Sequence, residues 1–198
     1  MVRISIDGAI GVGKTTVINM LKKDNHIVNP EDTDKWNDWL QLYHSNMTKY
    51  AYSFQSRILF DKMCQPYTTN KINIYERSPF TLHNMFGKLL HTDNMINDME
   101  YELEEMYIER LAWKPDYIIY LSSDIDTTIE RIKNHSVTAN KNISIDYLKK
   151  VHLLHEIVFD PSTCPIKIFK IYASTDINTV YENVKQVIYE IEKNEFMQ

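Results

Sequence analysis

The segment VRISID, Val2 to Asp7, runs directly into GAIGVGKT, Gly8 to Thr15, and then into the helical pattern TTVINMLKK. A strand, a turn of the form GxxxxGKT and a helix, in that order, gather backbone amides at a helix N-terminus, which makes a cradle for phosphate. Of the chain's four glycines, Gly8, Gly11 and Gly13 lie in this turn. Gly8, Ala9, Ile10, Gly11, Val12 and Gly13 form the cradle. Lys14 is placed to neutralise the outer phosphates, the Thr15 hydroxyl to hold Mg2+, and Thr16 continues the first helical turn. No other feature limits the fold so strongly.

The rest of the chain repeats the alternation. Short β-branched or aromatic runs at 2–7, 26–31, 72–76, 116–123 and 166–173 are separated by helical patterns. Such alternation implies parallel pairing through crossover helices, and the unbroken apolar run YIIYL fits a sheet covered on both faces. The expected fold is α/β: a P-loop NTPase-type, doubly wound, five-stranded parallel sheet flanked by helices, with a lid segment at about 133–144. Helices are expected at 15–23, 53–64, 97–113 and 179–193, the third with a solvated acidic face. At 198 residues and 43% hydrophobic composition the chain suits one domain. A formal net charge of -5 argues against a nucleic-acid or anionic membrane surface. Cys64 and Cys164 have no CxxC spacing, and no apolar run approaches a membrane span, so a soluble cytoplasmic protein is expected.

The loop leaves open where a phosphate goes. A guanine-nucleotide switch would carry DxxG and NKxD, but Gly87 follows Asn84 where the first motif needs Asp. HLLHE, with His152, His155 and Glu156, is not HExxH and reads as a packing helix. The segments PEDTDKW, YSFQSR and YERSPFTLHNMF are more informative. Glu31 is expected to end the second strand, and Glu76 and Arg77 the third, at the sheet edge where ligands bind in open α/β folds. Phe54 and Phe86 can sandwich a planar base, and the Gln55 amide can pair with a base edge in two hydrogen bonds. A strand-end carboxylate can accept a hydroxyl proton, although phosphoryl transfer rests mainly on positioning and cations. Plainer readings exist: core aromatics, a structural Glu76–Arg77 ion pair, and packing for Trp36.

GAIGVGKTT, the Glu31 to Trp36 spacing, the Phe54–Gln55 pair, ERS at 76–78, Phe86 and IDYLKKVHLLHE at 145–156 occur in the order and spacing of the deoxyribonucleoside kinase family, which the chain resembles over most of its length. The resemblance implies transfer of the γ-phosphate of ATP, with Mg2+, to the 5'-hydroxyl of a deoxyribonucleoside, in nucleotide salvage, by a homodimer. It also implies roles. Glu31 is the general base, Arg77 holds that carboxylate and the incoming oxygen, and Glu76 serves the metal with Thr15, either as a direct ligand or from behind one. Phe54, Phe86 and Trp36 wall the base while Gln55 reads its edge. The family's sugar-binding Tyr falls on Tyr43 with a one-residue insertion and on His44 without it.

Two regions depart from the family. The lid retains Arg131 but carries His135, Val137, Ala139 and Asn140 where charge is expected. Lys133 and Lys141 are cations without the bidentate fork of Arg, which points to a slower or less selective kinase. An Arg–Asp pair that aids base recognition in relatives is replaced by Lys62 and Leu82, which weakens selection for an exocyclic amine and favours thymidine or a broad pyrimidine range. The alternatives are a nucleoside monophosphate kinase of the thymidylate type, which needs a further cation for the acceptor's phosphate, and a nucleotide-binding protein with impaired catalysis. ASTDI, 173–177, is either a contact for the donor base or a plain loop.

Overall fold

The computed structural model describes residues 1–66, 68–69, 71–134 and 143–196. Among them are strands β1 (Val2–Gly8), β2 (Val28–Asn29), β3 (Ile72–Glu76), β4 (Tyr117–Ser122) and β5 (Lys167–Tyr172). All pairs are parallel, as the alternating pattern implies, and the order is β2-β3-β1-β4-β5. The second strand is shorter than the expected 26–31. Pro30 has no N–H to give to the ladder, so pairing stops at Asn29 and Glu31 lies beyond the strand instead of ending it.

The chain divides into two compact units. The first comprises Met1–Pro30, Thr69–Glu76 and Asp116–Gln198. It holds the sheet with α1 (Lys14–Lys23), α7 (Ile125–Asn134), α8 (Ile145–Val158) and α9 (Ile177–Phe196). Its core sets Ile4 and Ile6 of β1, Ile74 of β3, and Ile119 and Leu121 of β4 among Val17, Ile18 and Leu21 of α1 and Val180, Val184, Ile188 and Ile191 of α9. Leu21 follows Val17 and Ile18 by four and three residues, and the α9 residues recur at intervals of four, four and three, so each helix puts one apolar stripe on the sheet. Ile118 to Leu121 are all buried, as expected for a strand covered on both faces.

The second unit comprises Glu31–Thr68 and Arg77–Pro115. After a 3-10 turn at Thr33–Trp36 come α2 (Asn37–Ser45) and α3 (Met47–Met63). The α3 helix starts earlier than its apolar spacing predicts because Asn46 caps it, accepting from the Lys49 amide at 3.0 Å. A second helical run passes from α4 (Pro79–Thr81) through a π-helical stretch at Leu82–Gly87 into α5 (Lys88–Thr92). The α6 helix (Asp98–Leu111) opens with a capping box between Asn97 and Glu100.

The register of β1 fixes the phosphate loop. Gly8 lies opposite Leu121 of β4, and a Cβ on Gly8 would sit 2.5 Å from the Leu121 carbonyl oxygen, with φ at +149°. A Gly8→Ala substitution must separate the two strands at the loop's base. It should lower unfolding free energy by about 1–3 kcal/mol in urea denaturation; an unchanged midpoint would contradict this account of the strand contact.

Candidate active site

In the first unit, the loop hands the chain from β1 to α1 through Gly8, Gly11 and Gly13, all at positive φ. Ala9, Val12 and Lys14 are buried, Ile10 is half-buried, and Thr15 and Thr16 are exposed on the first turn of α1. The Lys14 ammonium donates to the carbonyls of Gly8 and Ala9, each at 2.8 Å, and so lies folded along the loop. Parallel register puts Glu76 of β3 opposite Ile6 of β1. That brings its carboxylate to the helix start, where the Thr15 hydroxyl donates to Glu76 Oε1 at 2.6 Å. A hydroxyl and a carboxylate side by side are hard oxygen donors of the kind Mg2+ takes.

Arg131 is on α7, ahead of the expected lid. Its Nη1 donates to the carbonyls of Val12 at 3.1 Å and Ala173 at 2.8 Å, and its Nη2 to that of Thr175 at 3.1 Å. One guanidinium thus ties the phosphate loop to the ASTDI segment after β5. Lys133 is exposed on the same helix. Lys141 and the positions His135, Val137, Ala139 and Asn140 lie outside the described residues. HLLHE lies within α8, where His155 Nδ1 donates to the Val151 carbonyl at 2.7 Å. Glu156 accepts from Tyr120 and Lys170, each at 2.6 Å, so this segment packs as expected.

In the second unit, the Arg77 guanidinium is hydrogen-bonded to Glu31 Oε2, and Lys62 Nζ lies 4.0 Å from Glu31 Oε1. Arg77 adopts φ 61°, a left-handed conformation that a side chain rarely takes. The turn after β3 is therefore held by its surroundings, and outliers of this kind gather at functional sites. The guanidinium carbon lies 5.5 Å from the Phe86 ring centre. Phe54 stacks on Tyr43 with ring centres 5.2 Å apart and planes 18° from parallel, whereas His44 is exposed. Of the two sequence candidates for the sugar-binding position, the stack brings Tyr43 to Phe54. Burial, with the negative charge of Asp93, pushes the Tyr43 phenol above its ordinary range, so its hydroxyl stays a neutral donor.

Trp36 is buried, and its indole N–H donates to Asp61 Oδ2 at 2.6 Å. Gln55 is also buried, with its amide nitrogen on the Leu82 carbonyl at 3.1 Å and on Glu104 Oε1 at 2.9 Å. A carboxylate thus reaches Gln55 from α6. Sequence reasoning placed this Glu on a solvated face. Glu102, Glu105 and Glu109 are exposed, but Glu104 is buried. The signal was its spacing, three residues after Tyr101 and four before Ile108, on the inward stripe of the helix. His83 joins it, donating from Nδ1 to Glu104 Oε1 at 3.2 Å.

The first unit carries a phosphate loop with a hydroxyl and a carboxylate at its helix start, and the second a carboxylate held by an arginine, features that suit a phosphotransferase. The family model for deoxynucleoside kinases matches residues 4–198. Protein 143R of Invertebrate iridescent virus 6 is 34% identical over 194 residues, covering 95% of this chain and 97% of the relative. The probable deoxycytidine kinase of fowlpox virus is 32% identical over 164 residues, covering 78% and 70%. Among solved structures, deoxyadenosine kinase from M. mycoides with products dCMP and a flexible dCDP superposes with a TM-score of 0.82 at 21% identity, covering 96% of this chain and 99% of that one. The chain belongs to the deoxynucleoside kinase family, enzymes that transfer a phosphoryl group to a deoxynucleoside.

The Arg131 contacts yield a stability prediction. Arg131→Gln removes charged donors from the Val12, Ala173 and Thr175 carbonyls, and should cost about 2 kcal/mol. Thermal melting would show a lower midpoint; an unshifted midpoint would mean that the guanidinium does not hold these segments.

Proposed function

We propose that the enzyme moves the γ-phosphate of ATP, with Mg2+, to the 5'-hydroxyl of a pyrimidine deoxyribonucleoside, thymidine included, in the cytoplasmic salvage of DNA precursors. The observation that carries this reading is the environment of Glu31. Among the described residues of the second unit the buried lysine and arginine side chains are Lys62 and Arg77, and both are directed at Glu31, while the buried imidazole of His83 is bonded to Glu104. A monophosphate acceptor brings its own dianion and needs a further buried cation. A pocket whose cations already face a carboxylate suits a neutral hydroxyl, and this favours the nucleoside over the monophosphate.

In this reading each group has a defined task. Glu31 accepts the 5'-hydroxyl proton while Arg77 keeps the carboxylate aimed and binds the attacking oxygen. Lys14 and the loop amides hold the donor's phosphates, and Thr15 and Glu76 would hold Mg2+. Bound with the nucleotide, Mg2+ would offset phosphate charge as it builds during transfer. Phe54 and Phe86 wall the base, Tyr43 reaches the sugar, and Trp36 supports the wall from within through Asp61. A homodimer belongs to the same reading and is supported by large apolar side chains left exposed in the second unit, among them Phe60, Met99 and Leu111.

The test is transfer from γ-labelled ATP to thymidine, deoxycytidine, deoxyadenosine, deoxyguanosine and their monophosphates, with Glu31→Gln alongside. The wild type should label the pyrimidine nucleosides at the 5' position. Glu31→Gln should lose about 10²–10⁴ in kcat while still binding the nucleoside. Transfer to monophosphates alone would move the assignment to a monophosphate kinase, and ATP binding without transfer would point to a binding protein.

A further inference from the structure

The environment of Gln55 leads beyond the two-bond reading of a base edge. An amide nitrogen carries two hydrogens, and both of Gln55's are spent, on the Leu82 carbonyl and on Glu104 Oε1. Both partners are acceptors only, so turning the amide over would set its oxygen against two oxygens. Chemistry therefore fixes the orientation. What remains for a ligand is the amide oxygen, which accepts no hydrogen bond among the described residues.

Glu104 is kept at a cost. It is 2% exposed, and its Oε2 has no hydrogen-bond partner among the described residues. Natural cores rarely tolerate such an atom without a purpose. The surroundings are shaped around it. A Cβ on Gly87 would come within 2.4 Å of Glu104 Oε1, so the one glycine outside the phosphate loop makes room for this carboxylate. The same π-helical stretch supplies the Leu82 carbonyl, His83 and Gly87, and π-turns are frequent at functional sites.

We propose that Glu104, seated against Gly87 and braced by His83, is a positioning residue that makes Gln55 an acceptor-only reader of the base. This deepens the kinase reading above and rests on it. The site then demands one N–H donor on the base edge and does not read the neighbouring acceptor. Thymine offers N3–H and cytosine its exocyclic amine, so both pyrimidines qualify, and discrimination falls on bases that lack a donor.

The test measures kcat/KM on a series of deoxyribosides with wild-type enzyme. Deoxycytidine is compared with its 2-pyrimidinone analogue, which lacks the amine, and with 3-deazadeoxycytidine, which lacks the N3 acceptor. Thymidine is compared with N3-methylthymidine, in which a methyl group replaces the N3–H donor. Donor deletion should cost about 10- to 100-fold, the range for a buried acceptor left unpaired. Acceptor deletion should leave the rate within about twofold, since no bond is lost.

Glu104→Gln frees the Gln55 amide to turn, so the variant should gain a several-fold penalty for the 3-deaza analogue and lose part of the penalty for the missing amine. A merely structural role would lower all substrates alike. A wild-type loss of tenfold or more on acceptor deletion, rejection of deoxycytidine by an enzyme that accepts thymidine, or an unchanged pattern in the variant would overturn the proposal while leaving the kinase reading standing. If the variant does not fold, the wild-type series decides alone. Transfer to no deoxynucleoside at all would bring down the kinase reading itself, and this inference with it.

Discussion

The parallel register of β3 on β1 is the constraint on which the chemistry depends. It sets Glu76 opposite Ile6, at the height where the loop turns into α1, and so delivers a carboxylate to the Thr15 hydroxyl. A shift by one residue would send every side chain of β3 to the opposite face and break this contact. The next residue, Arg77, turns left-handed at a cost of about 1 kcal/mol or more. Its guanidinium grips Glu31 instead of continuing the strand's alternation. Two consecutive residues are thereby committed to different partners, one serving the phosphate loop and the other the carboxylate of the second unit.

The polar groups of the second unit make sense as parts of a site and poorly as sources of stability. A buried ion pair such as Glu31–Arg77 loses much of its attraction to desolvation, and apolar replacements of similar size are often as stable. The Gln55, His83 and Glu104 group leaves one carboxylate oxygen without a hydrogen bond among the described residues. Each cluster gives a single side chain one orientation: the Glu31 carboxylate in one, the Gln55 amide in the other. Departures from local stability of this kind are expected where a sequence serves function.

Much of this was legible in the sequence, for identifiable reasons. The loop is a contiguous motif with strand and helix on either side, and strands 72–76, 116–123 and 166–173 are dense in β-branched and aromatic residues, so both appear at the expected places to within a residue. The second strand was overextended because apolar pattern alone ignores the missing donor of Pro30. The pairing of Tyr43 with Phe54 needed the helix that begins at Met47, capped by Asn46, which the apolar spacing did not mark. Glu104 was hidden because an acidic helix reads as solvated when judged by its average. Only the position of that one residue on the inward stripe separates it from its exposed neighbours. Left-handed Arg77 carries no sequence signal, since nothing in ERS distinguishes a strand end from a strained turn.

The division of labour between Glu76 and Arg77 is tested most directly by titrating Mg2+ in the transfer reaction with wild type, Glu76→Gln and Arg77→Lys. If Glu76 serves the metal and Arg77 serves Glu31, Glu76→Gln should raise the Mg2+ concentration for half-maximal rate and leave the deoxynucleoside KM unchanged. Arg77→Lys should lower kcat with the metal requirement of the wild type. Loss of the same property in both variants, or a metal requirement untouched by Glu76→Gln, would contradict the assignment of these neighbours to separate tasks.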